Sequence, residues 1–572
     1  MKIYSNLPAK LQADYSAAVA DWQSNNKVGR LWSHDASLWT NTDESKWMGW
    51  LDIVERQQKD LVQFRALKED TRLEGFEHAL LLGMGGSSLC PEVLSLTFGK
   101  QNGFPHLQIV DSTDPAQIRA VEQSLDLKKT LVIVSSKSGS TLEPNILKQY
   151  FFTRMQQAVG AEKAGSHFLA VTDPGSKMEQ VAKADHFRKI FYGDPTIGGR
   201  YSALSNFGIV AAAVMGLDVE KLLTQAKLAV DACKTATIAD NPGVQLGLIL
   251  GVAANAGRDK ITFFTSPKIH DLGAWFEQLI AESTGKQGKG ITPVDREHIA
   301  PPDHYGEDRV FAYVRLEGDD NARTDAAIEK LADAGHPVVR LDMKQTYDIG
   351  QQFFIWEIAT AVAGAVIGIN PFNQPDVEAS KIETKRLTSE YEKTGKLPEE
   401  TPIFEDGGIR LYAGLKYATV LHGALATGKT DLITYLKAHL SQIQAGDYFA
   451  TLAYIQMNGK HEETLQHFRH QVRNKKRVAT CLGFGPRFQH STGQDYKGGP
   501  NTGVFIQVTA DHVPDLAIPE QKYTFGVVIA AQAAGDLAVL DQRGRRVLRV
   551  HLGKDVEGGL KKLSEAIHKA LG

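Results

Sequence analysis

From residue 78 onward the chain alternates short apolar runs with polar, glycine-rich turns and stretches of helical periodicity. The runs Ala79–Leu82, Leu107–Val110, Leu131–Val134 and Phe168–Val171 are of strand length and largely apolar, the pattern of strands buried on both faces of a parallel sheet. A second series follows at Ile261–Phe264, Val310–Val314, Val338–Leu341, Phe449–Ile455, Val478–Leu482, Val504–Val508 and Val547–His551. Strand alternating with helix predicts an α/β fold with right-handed crossovers. The two series predict two α/β units, at residues 61–232 and 233–572. Residues 1–60 read as an N-terminal helical arm, and its Trp22, Trp32, Trp39, Trp47 and Trp50 as packing residues, because aromatic rings bury large areas. The polar stretch from 384, extending toward 450, reads as a surface excursion.

Length and charge narrow the function. At 572 residues the chain has room for more than one core. Its formal net charge of -3 lacks the basic excess of a nucleic-acid binder. The N-terminus has no signal-peptide core and no stretch reaches ~18 uninterrupted apolar residues, so no membrane span is expected. The longest apolar run, around Ile358–Ile369, reads as a buried helix. Cys90, Cys233 and Cys481 are far apart and odd in number, which argues against a disulfide framework or a metal site and fits the cytoplasm.

Two strand-to-helix turns have the chemistry to hold a phosphate. One is Gly83-Met84-Gly85-Gly86-Ser87-Ser88; the other is Ser135-Ser136-Lys137-Ser138-Gly139-Ser140-Thr141. Glycines admit close approach of an anion, helix N-termini offer free N–H groups, and hydroxyls and Lys137 add donors and charge. Taken singly, Ser and Thr at a helix start are ordinary N-caps. Two such turns at the carboxyl ends of strands of one sheet point to a ligand. The first turn lacks the GxGxxG dinucleotide pattern, since Ser88 stands where the last glycine would be. Gly423–Thr430 matches a P-loop pattern, but at best a marginal strand precedes it and no clear second acid follows, so it reads as the break of a helix.

Carbonyl migration along a sugar needs a base, a cation for the enediolate and a phosphate anchor. Glu282 lies in the last turn of an amphipathic helix that Gly285 stops, where the dipole opposes a carboxylate and suits a base that must return its proton. Arg200, after Gly198-Gly199, is the candidate cation. Read alone, Glu282 fits an exposed glutamate better and Arg200 a surface-loop arginine in a salt bridge.

Together these segments resemble the glucose-6-phosphate isomerase family. Gly199-Arg200-Tyr201-Ser202 is similar to its GGR(F/Y)S signature, Glu282-Ser283-Thr284-Gly285-Lys286 to its ESNGK segment, and the run Phe372–Lys381 to its FDQxGVExxK signature. The Ser136–Thr141 turn resembles its phosphate loop, and Gly85-Gly86-Ser87 its first glycine turn. The likeness is strongest to the isomerase half of bifunctional transaldolase/isomerase fusions and runs on through Gly485–Gln494 and Gly498–Gly503; the transaldolase half has no counterpart here. The resemblance implies two sugar-isomerase (SIS) domains, each a three-layer αβα parallel sheet, and interconversion of glucose 6-phosphate and fructose 6-phosphate through a cis-enediol. It implies neither metal nor nucleotide cofactor, and a homodimer is possible. By motif, Glu282 is the base and Arg200 the cation; Gly86, Ser87, Ser136, Lys137, Ser138 and Thr141 hold phosphate; Gln374 and Lys381 line the sugar and ring-opening side. One departure stands out. Where the family carries TNGQH, this chain has Ser491-Thr492-Gly493-Gln494-Asp495, later in the sequence and with Asp495 in place of His. Ring opening therefore falls to His490, with His304 as the alternative. Isomerisation of mannose 6-phosphate, a silent sugar-phosphate sensor and an ATP-dependent sugar enzyme remain competing readings.

Overall fold

The apolar runs become strands because their side chains are buried on both faces. In the computed structural model, which describes residues 2–425 and 430–572, the strands in chain order are β1 (Ile3–Asn6), β2 (His78–Leu82), β3 (His106–Val110), β4 (Thr130–Ser135), β5 (Phe168–Thr172), β6 (Lys189–Tyr192), β7 (Lys260–Thr265) and β8 (Thr292–Val294). They continue as β9 (Arg309–Leu316), β10 (Val338–Met343), β11 (Phe404–Asp406), β12 (Ile409–Tyr412), β13 (Tyr448–Tyr454), β14 (Ala479–Phe484), β15 (Gly503–Thr509) and β16 (Arg546–His551). Every residue of β4, β5, β13 and β15 is buried.

The chain packs as two units, each discontinuous in sequence. The first comprises Met1–Asp111, Val121–Thr284 and Val310–Asn373; the second comprises Ser112–Ala120, Gly285–Arg309 and Gln374–Gly572. The first unit holds a parallel sheet of order β3-β2-β4-β5-β6. It also holds β1-β10-β9-β7, in which β1 runs antiparallel to β10. Its N-terminal arm packs through tryptophan as the sequence implies. Trp22, Trp39 and Trp50 are buried. The Trp39 indole donates to the Ala361 carbonyl at 2.8 Å, and the Trp50 ring lies 5.0 Å from Tyr201.

The second unit is built on a third sheet, β11-β12-β16-β15-β13-β14, parallel except at β11 and β12. The α/β character is as expected; a sheet beyond two is a departure, because apolar runs reveal strands but not how they are shared among sheets. The segment read as a surface excursion supplies β11, β12 and the buried side of helix Leu432–Leu440 to this unit. One sheet face carries Ile506, Val508, Leu548 and Val550 beneath helices Gly459–Lys476, Leu432–Leu440 and Val556–Leu571. The other face meets helix Phe525–Gln542 through Ile529, Ala533 and Leu537.

Helices Thr346–Ile367 and Phe525–Gln542 are long and apolar enough to cross a membrane, but 89% and 67% of their apolar windows are buried inside the protein. Both serve as core helices. Residues Leu415–Ala424 are helical, so no strand precedes the P-loop-like match; its residues 426–429, Lys429 among them, lie outside the described residues.

Candidate active site

In the first unit, β2 leads outward to β3 while β4 lies on its other side and leads to β5 and β6. The direction of the strand order therefore reverses between β2 and β4, the place where open α/β sheets form a ligand crevice at their carboxyl ends. Both hydroxyl-rich turns emerge there. The first passes through a short 3-10 turn, Gly85–Ser87, into helix Leu89–Phe98. The second leads into helix Leu142–Val159 with Thr141 at its N-cap. The second turn holds its own shape: Asn145 donates to the carbonyls of Gly139 and Thr141 at 2.9 and 2.8 Å, and the hydroxyls of Ser138 and Ser140 are 2.8 Å apart. Gly139 has φ of 65°, and a side chain there would meet the Met178 backbone nitrogen at 2.3 Å. Ser87 and Ser136 are buried, Ser138 is exposed and Thr141 half-buried. The Ser136 hydroxyl has no hydrogen-bond partner, an unmet donor where a phosphate oxygen is expected.

Lys137 differs from the expectation. Its ammonium lies 2.5 Å from Asp173 and donates to the Asp194 carbonyl at 3.0 Å, so its charge is already spent. Burial pushes the Asp173 carboxyl up, and the Lys137 contact opposes that shift.

Arg200 enters from the 3-10 turn Gly199–Tyr201. That turn packs on the first glycine turn so closely that a side chain at Gly86 would meet the Gly199 carbonyl oxygen at 1.9 Å. Close backbone approach, not a left-handed conformation, is what requires Gly86. Arg200 is 2% exposed. Its Nε donates to the Ser283 hydroxyl at 2.8 Å, and Nη2 donates to the carbonyls of Pro371 and Asn373 at 2.8 and 2.9 Å. Its remaining nitrogen, Nη1, lies 3.5 Å from Glu282 Oε1.

Glu282 sits in the last turn of helix Leu272–Thr284, as its periodicity implies, and is 9% exposed. Its other oxygen, Oε2, accepts from the Gln278 amide at 3.1 Å, one helical turn back. The Ser283 hydroxyl also reaches Tyr201, whose phenol is pushed up by burial. Neither Gln278 nor Ser283 was singled out from sequence, although the i,i+4 spacing of Gln278 and Glu282 was available as a signal. Five positions thus converge in the first unit: Gly86, Arg200, Gln278, Glu282 and Ser283.

The other candidates belong to the second unit. Gln374 is exposed just ahead of helix Val377–Thr394. Lys381, on that helix, is exposed with its ammonium 3.5 Å from Glu378. His490 is half-buried and ends the 3-10 turn Arg487–His490. His304 ends another such turn, with Nδ1 3.1 Å from Asp303. Asp495, in the position of the expected histidine, is buried and accepts from Thr292 at 2.9 Å.

Residues 53–307 match the family model of phosphoglucose isomerase. A probable glucose-6-phosphate isomerase of Methanococcus maripaludis is 28% identical over 378 residues, 58% of this chain and 82% of the relative. The glucose-6-phosphate isomerase of Rubrobacter xylanophilus is 29% identical over 57% of this chain and 86% of its own length. Among solved structures, a hypothetical protein of Thermus thermophilus superposes with a TM-score of 0.58 at 25% identity, covering 67% of this chain and 99% of its own. A glucose-6-phosphate isomerase of Chlamydia trachomatis shares the fold with a TM-score of 0.51 at 20% identity, over 65% of this chain and 79% of its own.

Proposed function

We propose, from the match of residues 53–307 to the family model of phosphoglucose isomerase, that the chain is an aldose–ketose isomerase that interconverts glucose 6-phosphate and fructose 6-phosphate. The observation that carries this reading is the pairing of Arg200 with Glu282 inside that segment, beside a switch point with two hydroxyl-rich turns.

In the proposed reaction Glu282 takes the proton from C2 of the open-chain aldose and returns it to C1, passing through a cis-enediol. A carboxylate suits this because it must act first as base and then as acid on neighbouring carbons. Arg200 sets a fixed positive charge near the oxygen that becomes anionic. Its contacts to two carbonyls and Ser283 orient the guanidinium before substrate arrives. Gly86, Ser87, Ser136, Ser138 and Thr141 supply the phosphate anchor, so that phosphate binding positions the reacting carbons. Lys137 acts behind the loop, holding it to Asp173. The roles of Gln374 and Lys381 beside the sugar, and of His490 in ring opening, rest on motif resemblance. Three buried cysteines that form no disulfide favour the cytoplasm as the compartment.

The test is formation of glucose 6-phosphate from fructose 6-phosphate by the purified full chain. Turnover supports the reading. Its absence, with turnover of mannose 6-phosphate instead, would replace the substrate and keep the reaction class.

A further inference from the structure

The second unit has a switch point of its own. Its strand β13 leads to β14 on one side, while β15 lies on the other side and leads to β16. At the carboxyl ends of these strands, on the face covered by helix Phe525–Gln542, opens a cavity of about 340 Å³. That volume falls in the range of small-molecule sites, roughly 300–1,000 Å³. Tyr454, Thr509 and His551, the last residues of β13, β15 and β16, all line it.

Alternation along β16 explains its chemistry. Leu548 and Val550 face the apolar core of one side, which turns Val547, Arg549 and His551 to the other. An arginine and a histidine thus occupy inward positions where a closed core would place aliphatic residues. Arg549 is 4% exposed, and its Nε is buried with no hydrogen-bond partner. The guanidinium lies over the Tyr412 ring at 4.4 Å and pairs with Glu400. Glu400 is a half-exposed carboxylate on an irregular loop. A protein carboxylate therefore occupies the seat that an incoming oxyanion would take, while the orphan Nε leaves a second donor for it. Beside it, Arg410 is only 3.9 Å from Asp511, which is shared with His551 at 3.1 Å.

The opposite wall is apolar. Ala530, Ala534 and Ala538 recur every four residues along helix Phe525–Gln542 and present one flat stripe to the cavity. Leu397 and Pro398 close it from the Glu400 loop.

We propose that this cavity binds a small metabolite that joins a flat apolar body to one phosphate or carboxylate group. The oxyanion displaces Glu400 from Arg549, and the body lies on the alanine stripe. The site is independent of the isomerase reading.

The test is calorimetric titration of the full chain with phenyl phosphate and with benzoate, in excess fructose 6-phosphate. Inorganic phosphate serves as the probe lacking an apolar body. One organic probe should bind, and which one does separates phosphate from carboxylate. Arg549→Gln and Ala534→Phe should each weaken it about tenfold or more, the scale of one lost charged contact or blocked subsite. Glu400→Gln, an exposed change that leaves folding intact, should tighten it by freeing the arginine. Fructose 6-phosphate turnover should be the same in all three variants. Failure of both organic probes to bind wild type and Glu400→Gln would overturn the proposal. So would binding that ignores Arg549→Gln and Ala534→Phe, or inorganic phosphate binding as tightly as phenyl phosphate.

Discussion

Arg200 Nη1 lies 3.5 Å from Glu282 Oε1, with both side chains nearly withdrawn from solvent. The carboxylate is thus held from two sides, by the arginine and by the Gln278 amide. Glu282→Gln keeps the shape and the amide can still meet Gln278, but it removes the base. The expected outcome is a loss of at least ~100-fold in kcat, the low end for removing a general base, with KM for fructose 6-phosphate nearly unchanged. Steady-state kinetics with an unchanged melting curve checks this. A variant that retains full kcat would mean that another group moves the proton.

Much of this site was legible in the sequence, for physical reasons that differ by element. Strands β2, β4, β5, β13 and β15 announce themselves because burial on both faces demands largely apolar residues. Strand β6, with its Lys189 and Tyr192 exposed, has no such demand, and β11 and β12 are short and partly exposed. They escape the same reading. Turn chemistry located Ser136 and Gly86, yet it could not show that Lys137 is committed to Asp173, a partner 36 residues away. Nor could a linear reading divide the chain at 111–121, 284–310 and 373, since those crossings are set by packing between distant segments.

The two phosphate turns predict opposite kinds of failure. Ser136→Ala removes a buried hydroxyl that has no partner within the protein, so stability should be unchanged. KM for fructose 6-phosphate should rise about tenfold, the scale of a hydrogen bond to a charged group, with kcat little affected. Gly86→Ala forces a Cβ to within 1.9 Å of the Gly199 carbonyl oxygen, a backbone atom that cannot rotate away. The Arg200 turn must then move, and both kcat and the melting temperature should fall. Parallel kinetics and thermal melts separate the two, and a benign Gly86→Ala would show that the turns are not coupled.

Acid should weaken the second unit. Burial pushes both His439 and His470 down to about 3. His439 shares a hydrogen bond with the Tyr417 phenol at 2.7 Å, and His470 Nε2 accepts from the His298 backbone N–H at 3.0 Å, a bond that requires the neutral ring. Each histidine binds a proton in the unfolded chain near its ordinary value of ~6.5 but not in the folded one. Their contribution is therefore fully present above that value and is lost as pH falls toward 3. At pH 5 the loss is about 2 kcal/mol for each. Denaturant titrations at pH 7 and pH 5 measure it. His439→Leu should flatten the pH slope even where it lowers stability outright, and a slope unchanged by that substitution would remove His439 from the account.

Gln494 should act as a positioning residue for the segments that flank the candidate site. It is fully buried, donates to the Gly285 carbonyl at 2.8 Å and to Asp376 Oδ2 at 2.7 Å, and accepts from the Asp376 backbone N–H at 2.9 Å. Gly285 directly follows the helix that carries Glu282, and Asp376 lies two residues beyond Gln374. One amide thus ties together the ends of two motifs that are distant in sequence. Gln494→Met keeps the volume and leaves the Gly285 carbonyl and Asp376 N–H without their partner, at a cost of about 1–3 kcal/mol for each buried group stranded. Asp376 keeps its pairing with Arg543, so the segment should loosen without unfolding. The expected kinetic signature is a fall in kcat with KM nearly constant, because phosphate anchoring belongs to the turns of the first unit while the reacting end loses its alignment. A rise in KM alone would instead make Gln494 part of substrate binding, and unchanged stability would show that its three hydrogen bonds do not hold the segments.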